Sequence, residues 1–133
     1  MKTRLRTAAR IVFILYVMAV AWLCFGKFDS LPDVPRSLWD IPMDKVVHFL
    51  MFLPFPVLAF PAFVPPAESR LRTFAWTLGV FISGCLFAAA TELVQARLLP
   101  FRTGDPADFT ADLIALGVGS LLVFVIDIWK KRK

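Results

Sequence analysis

Between Ile11 and Phe25 the chain runs for fifteen residues without a polar break, and three further apolar stretches follow at Val46–Val64, Phe74–Val94 and Phe109–Trp129. No other feature constrains the fold so strongly. A soluble domain of 133 residues has too much surface for its volume to hide four such stretches from water. Apolar side chains make up 59% of the chain and charged ones 19%. Ordinary soluble domains reach only about 45–50% apolar with glycine included. The missing solvent is lipid. The expected fold is an all-α membrane protein, an antiparallel bundle of four transmembrane helices in one domain, 1–133. The helices are expected at about 8–28, 46–64, 74–94 and 109–129.

The first run would rise only about 22 Å, short of a hydrocarbon core of about 30 Å, so its helix must extend into the flanks. Arg10 and Lys27 stand at its ends, able to reach the interface. Ala19-Val20-Ala21 fits a cleavable signal, but the run continues through Phe25, and Leu23-Cys24 lacks the small residues of a lipoprotein signal. An uncleaved helix is the favoured reading. Gly26–Lys45 reads as a polar connection with Pro32, Pro35 and Pro42. Pro54, Pro56 and Pro61 predict a kinked second span, which Pro65-Pro66 ends. In the third span Gly79/Ser83 and Gly84/Ala88 have the spacing of close helix packing. Gln95–Asp108 reads as a polar loop, and Trp129 as an interfacial anchor. Cys24 and Cys85 lie inside apolar runs with no ligand spacing or disulfide framework, and read as small buried hydrophobes.

The net charge is +5, and it gathers at the ends: Lys2, Arg4, Arg6 and Arg10 open the chain, and Lys130, Lys131, Arg132 and Lys133 close it. Basic ends around apolar runs point to membrane lipids as partners and not to nucleic acid. With both termini cytoplasmic, ten Lys and Arg lie inside and five outside, which favours that orientation.

That orientation brings Asp44, Lys45, His48, Glu92, Gln95, Arg102, Asp105, Asp108 and Asp112 to the outer face. Ionisable groups at membrane depth are costly and so are functional candidates. Asp44 and His48, four apart, share a helix face, where the carboxylate could orient the imidazole. The plainer reading is a polar helix end in wet headgroups. Glu92 and Gln95, three apart, also share a face, and Glu92, one turn inside its run, needs a partner such as Arg102 or His48. A structural tie between helices would satisfy it equally well. Arg102 offers a planar fork of donors that suits a lipid phosphate, or a salt bridge to Asp105 or Asp108. Asp105, Asp108 and Asp112 carry oxygens that suit a divalent cation, but their spacing matches no calcium loop, so neither metal nor cofactor is expected. No G-x-S-x-G, Walker loop, H-E-x-x-H or C-x-x-C occurs, and no catalytic residue is assigned.

Three of these blocks together resemble the VanZ-like family of bacterial membrane proteins. Asp44-Lys45-Val46-Val47-His48-Phe49 resembles its D-K-x-x-H-F segment, and Glu92-Leu93-Val94-Gln95 its E-x-x-Q segment. Pro100-Phe101-Arg102, followed by Asp108, Asp112 and Gly119, resembles its P-x-R…D-x-x-x-N…G segment. The likeness spans about 44–125. Asp112 stands where the family often has Asn, and Ala115 where it often has Gly. The resemblance implies four helices in the bacterial inner membrane, with an association of the family's namesake to teicoplanin resistance, and it assigns no catalytic role.

The leading expectation is a non-enzymatic protein of the cell envelope. Its outer face would bind an anionic lipid headgroup or a lipid-linked cell-wall precursor, with Arg102 on the phosphate and His48, oriented by Asp44, as a second donor. Glu92 and Gln95 would hold Arg102. The alternatives are a membrane enzyme acting on a lipid or cell-wall intermediate, with His48 as acid/base and the aspartates on a metal, and a structural or assembly subunit whose cluster only ties helices.

Overall fold

The computed structural model describes residues 2–26, 37–66, 69–100 and 104–132. Four spans long and apolar enough to cross a membrane make up nearly all of them. The chain is a multi-spanning membrane protein built as a four-helix bundle.

Helix α1, Lys2–Phe25, has 24 residues. It extends the first apolar run through the basic N-terminal segment to about 36 Å, enough for a full crossing. The second span is two helices, α2 (Met43–Phe52) and α3 (Pro54–Phe63). Leu53 between them keeps right-handed helical angles, φ −55° and ψ −42°, so the chain continues in nearly the same direction. The break arises because Pro54 and Pro56 carry no N–H to return to the carbonyls four residues back.

Helix α4, Arg70–Leu98, and helix α5, Pro106–Lys130, are longer than their apolar runs. Local caps explain the extra turns. Ser69 Oγ accepts from the Arg72 N–H at 3.2 Å, and the Asp105 carboxylate accepts from the Ala107 N–H at 2.9 Å, with Pro106 in the first turn. The polar loop expected over 95–108 is therefore shorter, because α4 runs to Leu98.

Cross-helix hydrogen bonds fix the antiparallel arrangement. At one end Arg6 Nη2 donates to the Val64 carbonyl at 2.9 Å and Arg10 Nε to the Ala62 carbonyl at 3.1 Å. These are last-turn carbonyls of α3 that no intrahelical N–H can reach. At the same end Thr73 Oγ1 donates to Asp127 Oδ2 at 2.9 Å, joining the start of α4 to the end of α5. At the other end Gln95 Nε2 donates to the Cys24 carbonyl at 2.9 Å, joining the ends of α4 and α1.

Packing at mid-depth relies on small residues. A Cβ on Gly84 would come within 2.5 Å of Leu116 Cδ2 and 3.1 Å of the Phe55 ring, so α3, α4 and α5 meet there. Ala88 and Ala115 are fully buried in the same layer. A Cβ on Gly119 would lie 2.7 Å from the Leu53 carbonyl oxygen, so α5 seats against the break in the second span. The Gly84/Ala88 pair thus packs as expected, whereas Gly79 has open space around its Cβ position and Ser83 bonds within its own helix. Cys24 is buried and Cys85 half-buried. Phe13, Phe55 and Phe87 interlock across α1, α3 and α4, with ring centroids 5.2 and 5.9 Å apart. The lipid-facing surface remains apolar: Leu15, Leu86 and Leu121 each expose more than half of their area.

Candidate functional site

The end of the bundle opposite the termini carries a dense group of charged side chains. It is built where the first turns of α2 and α5 meet the last turns of α4. A short hairpin precedes α2, pairing β1 (Ser37–Leu38) with β2 (Ile41–Pro42). Its two turn residues, Trp39 and Asp40, both take left-handed angles, φ 48° and 63°, the twist that a two-residue hairpin turn requires. The hairpin lies inside the stretch read from sequence as a polar connection, and it delivers the chain to Met43.

Lys45 stands at the centre. Its Nζ lies 2.9 Å from Asp44 Oδ2, 2.5 Å from Asp105 Oδ2 and 2.5 Å from Asp108 Oδ1. This ammonium joins α2 to the start of α5. Asp105 sits just ahead of the fourth span, and the Lys45 hydrogen bond, aided by the Ala107 N–H, holds its carboxyl below the usual aspartate range.

One turn deeper, His48 is almost fully buried, with 6% of its area exposed, and Asp112 is completely buried. His48 Nδ1 lies 3.1 Å from Asp112 Oδ1. A carboxylate at that distance holds the proton on Nδ1 and leaves Nε2 facing the opposite way. Nε2 lies 3.7 Å from Asp108 Oδ2, beyond hydrogen-bond length. Asp108 therefore turns one oxygen to Lys45 and the other toward the imidazole.

Glu92 closes the group from α4. Its Oε2 accepts the Asp105 N–H at 3.2 Å, while its Oε1 is buried without a partner among the described residues. The second oxygen of Asp112 is likewise buried and unpartnered among them. Gly104 makes this approach possible: a Cβ there would lie 2.7 Å from the Ala96 Cβ, so only glycine lets the chain cross α4 this closely before α5 begins.

Two expected pairings are corrected. Asp44 does not orient His48. It lies at the helix start with a half-exposed carboxylate, and the neighbouring ammonium of Lys45 captures it. The ring of His48 turns inward, and Asp112, 64 residues away in sequence, holds it instead. Gln95 does not join the cluster either. It is buried against α1 and donates to the Cys24 carbonyl, a tie between helices. Arg102, with its expected contacts to phosphate, Glu92 and Gln95, lies outside the described residues. Asp44, Lys45, His48, Glu92, Asp105, Asp108 and Asp112 come together at one end.

Among the described residues five carboxylates thus surround one lysine and one histidine. Beside them runs a groove of about 500 Å³ between the hairpin, α2 and α5, walled by Leu38, Trp39, Ile41, Val46, Phe49 and Ile114. Lys45 is its one charged wall residue among those described. Sequence reasoning missed this groove, since it depends on the hairpin folding back toward α5. No family model, curated protein or solved structure matches this chain.

Proposed function

We propose that the chain is a VanZ-like protein of the bacterial inner membrane, with both termini cytoplasmic, that binds an amphiphile at its outer face. The ligand class is an anionic lipid or a lipid-linked cell-wall precursor. One observation carries the reading: an apolar groove runs beside a charged cluster and meets it at Lys45. A chain in the groove would bury apolar surface against Phe49 and Ile114, and its head would come to rest against the ammonium. Lys45 would exchange its bonds to the half-exposed Asp44 and Asp105 for phosphate oxygens. Arg102, two residues before Gly104, would add a planar fork suited to phosphate. The resemblance at Asp44–Phe49, Glu92–Gln95 and Pro100–Arg102 supports the same reading. It carries no inference of antibiotic resistance for this chain.

Mass spectrometry of lipids that copurify with the protein tests it. Wild type should enrich one class, such as a polyprenyl phosphate, over the bulk membrane. Ala111 also lines the groove, and Lys45→Ala, Arg102→Ala and the groove-filling Ala111→Phe should each lose that enrichment. Bulk composition in all four samples would refute ligand binding and leave the cluster as a tie among α2, α4 and α5.

A further inference from the structure

We infer that His48, Glu92 and Asp108 form a binding site for a divalent transition-metal ion, of which zinc is the best fit. One donor atom from each of the three lies within 4.8 Å of the others. Three ligands around zinc at bonds of about 2.0–2.2 Å sit roughly 3.3–3.5 Å apart. The 3.7 Å between His48 Nε2 and Asp108 Oδ2 is already close to that, and a Glu92 carboxylate oxygen lies within 4.8 Å of the other two donor atoms.

Three further observations point to a cation. The first is the orientation of the imidazole. Asp112 takes the Nδ1 side at 3.1 Å, which leaves the Nε2 lone pair facing Asp108. A buried carboxylate behind a ligating histidine is the arrangement that fixes the tautomer and strengthens the ligand. The second is an orphaned oxygen on a proposed ligand. Glu92 Oε1 is buried with no hydrogen-bond partner among the described residues. A carboxylate oxygen cut off from water is costly unless something positive approaches it. The third is charge. Among the described residues Lys45 is the one permanent cation in contact with this group of five carboxylates.

The ligand types choose the ion. One imidazole and two carboxylates suit zinc better than calcium or magnesium, which prefer all-oxygen shells. A neighbouring trio, Asp44, Asp105 and Asp108, also has oxygens close together. There the ammonium of Lys45 already stands where an ion would, so that trio is not the site.

The test uses the full chain in detergent, stripped with a chelator and dialysed, with no lipid added, so that its failure is separate from failure of the lipid reading. Calorimetric titration with Zn²⁺ alone should give one ion per chain. Co²⁺ should give the visible absorption of a low-coordinate site with a histidine ligand. His48→Ala and Glu92→Gln should abolish the one-to-one binding, Asp112→Leu should weaken it about 10–100-fold, and Asp40→Asn, on the exposed hairpin, should leave it unchanged. If His48→Ala does not fold, Glu92→Gln decides, because its shape is conserved and its Oε1 has no partner to lose among the described residues. Absence of saturable Zn²⁺ binding to wild type, or equal binding by wild type and Glu92→Gln, overturns the site.

Discussion

Gly119 and Gly117 lie two residues apart in α5 and should respond oppositely to the same change. A Cβ on Gly119 would meet the Leu53 carbonyl oxygen at 2.7 Å and the Pro56 ring at 3.1 Å, whereas a Cβ on Gly117 meets nothing within 4 Å. Ordinary contact needs about 3.5 Å or more, so Gly119→Ala must push α5 away from the broken span by roughly half an ångström or more. Overpacking of this kind costs about 1–3 kcal/mol. Alanine also improves helix propensity by about 1 kcal/mol over glycine, equally at both sites. The propensity gain cancels in the comparison, which leaves Gly119→Ala about 1–3 kcal/mol less stable than Gly117→Ala. Reversible unfolding in mixed micelles, followed by circular dichroism, measures the difference directly. Equal stability of the two variants would show that α5 does not seat on the Leu53 break, and the packing argument would fail.

His48→Ala should cost about 3–5 kcal/mol, because it leaves Asp112 as a buried, unpaired acid. The double variant with Asp112→Leu should recover most of that loss, and a double variant no better than the single would contradict the pairing. Asp105 should confer an acid-dependent stability. Its folded carboxyl titrates below the usual aspartate value, so its contribution is complete above about pH 4 and lost as pH falls through the lowered value. The stability gap between wild type and Asp105→Asn should therefore hold from neutral pH to about pH 4 and close as pH falls through the lowered value; a gap that does not change with pH would refute the Lys45 linkage. Gln95→Leu removes the donor to the Cys24 carbonyl and should cost about 1–3 kcal/mol. Maleimide labelling of the buried Cys24 should rise in that variant, and unchanged labelling would mean that α1 is held by other contacts.

The four spans were legible because lipid demands long apolar runs, and this chain offers four. Their ends were less so. Ser69 and Asp105 lengthen α4 and α5 beyond their apolar runs, through side-chain caps that hydropathy does not register. Proline chemistry pointed to a disturbed second span, and the break lies at Leu53, ahead of Pro54. The orientation of the spans brought seven of the nine expected polar residues to one end, with Gln95 turned to α1 and Arg102 outside the described residues, while spacing along one helix misassigned their pairs. Asp44 and His48 are four apart, yet the nearest cation decides for Asp44 and a carboxylate on α5 decides for His48. Glu92 and Gln95 are three apart, yet one meets the start of α5 and the other the end of α1. The same limit separates Gly84 from Gly79: where lipid and neighbouring helices are both apolar, periodicity does not say which face touches which.

Arg6 and Arg10 give the start of the chain a second burden. Such charges are usually treated as topological signals, to be moved or removed when a protein is to be reinserted the other way round. Here the same two guanidinium groups also hold the final carbonyls of α3. A charge-swap or an N-terminal trim that neutralises them would therefore touch two things at once, the charge asymmetry between loops and the closure of the second span. Only Lys in place of each Arg, or swaps confined to Lys2 and Arg4, would separate the effects, since a relocated charge elsewhere in the segment restores the signal without restoring the latch.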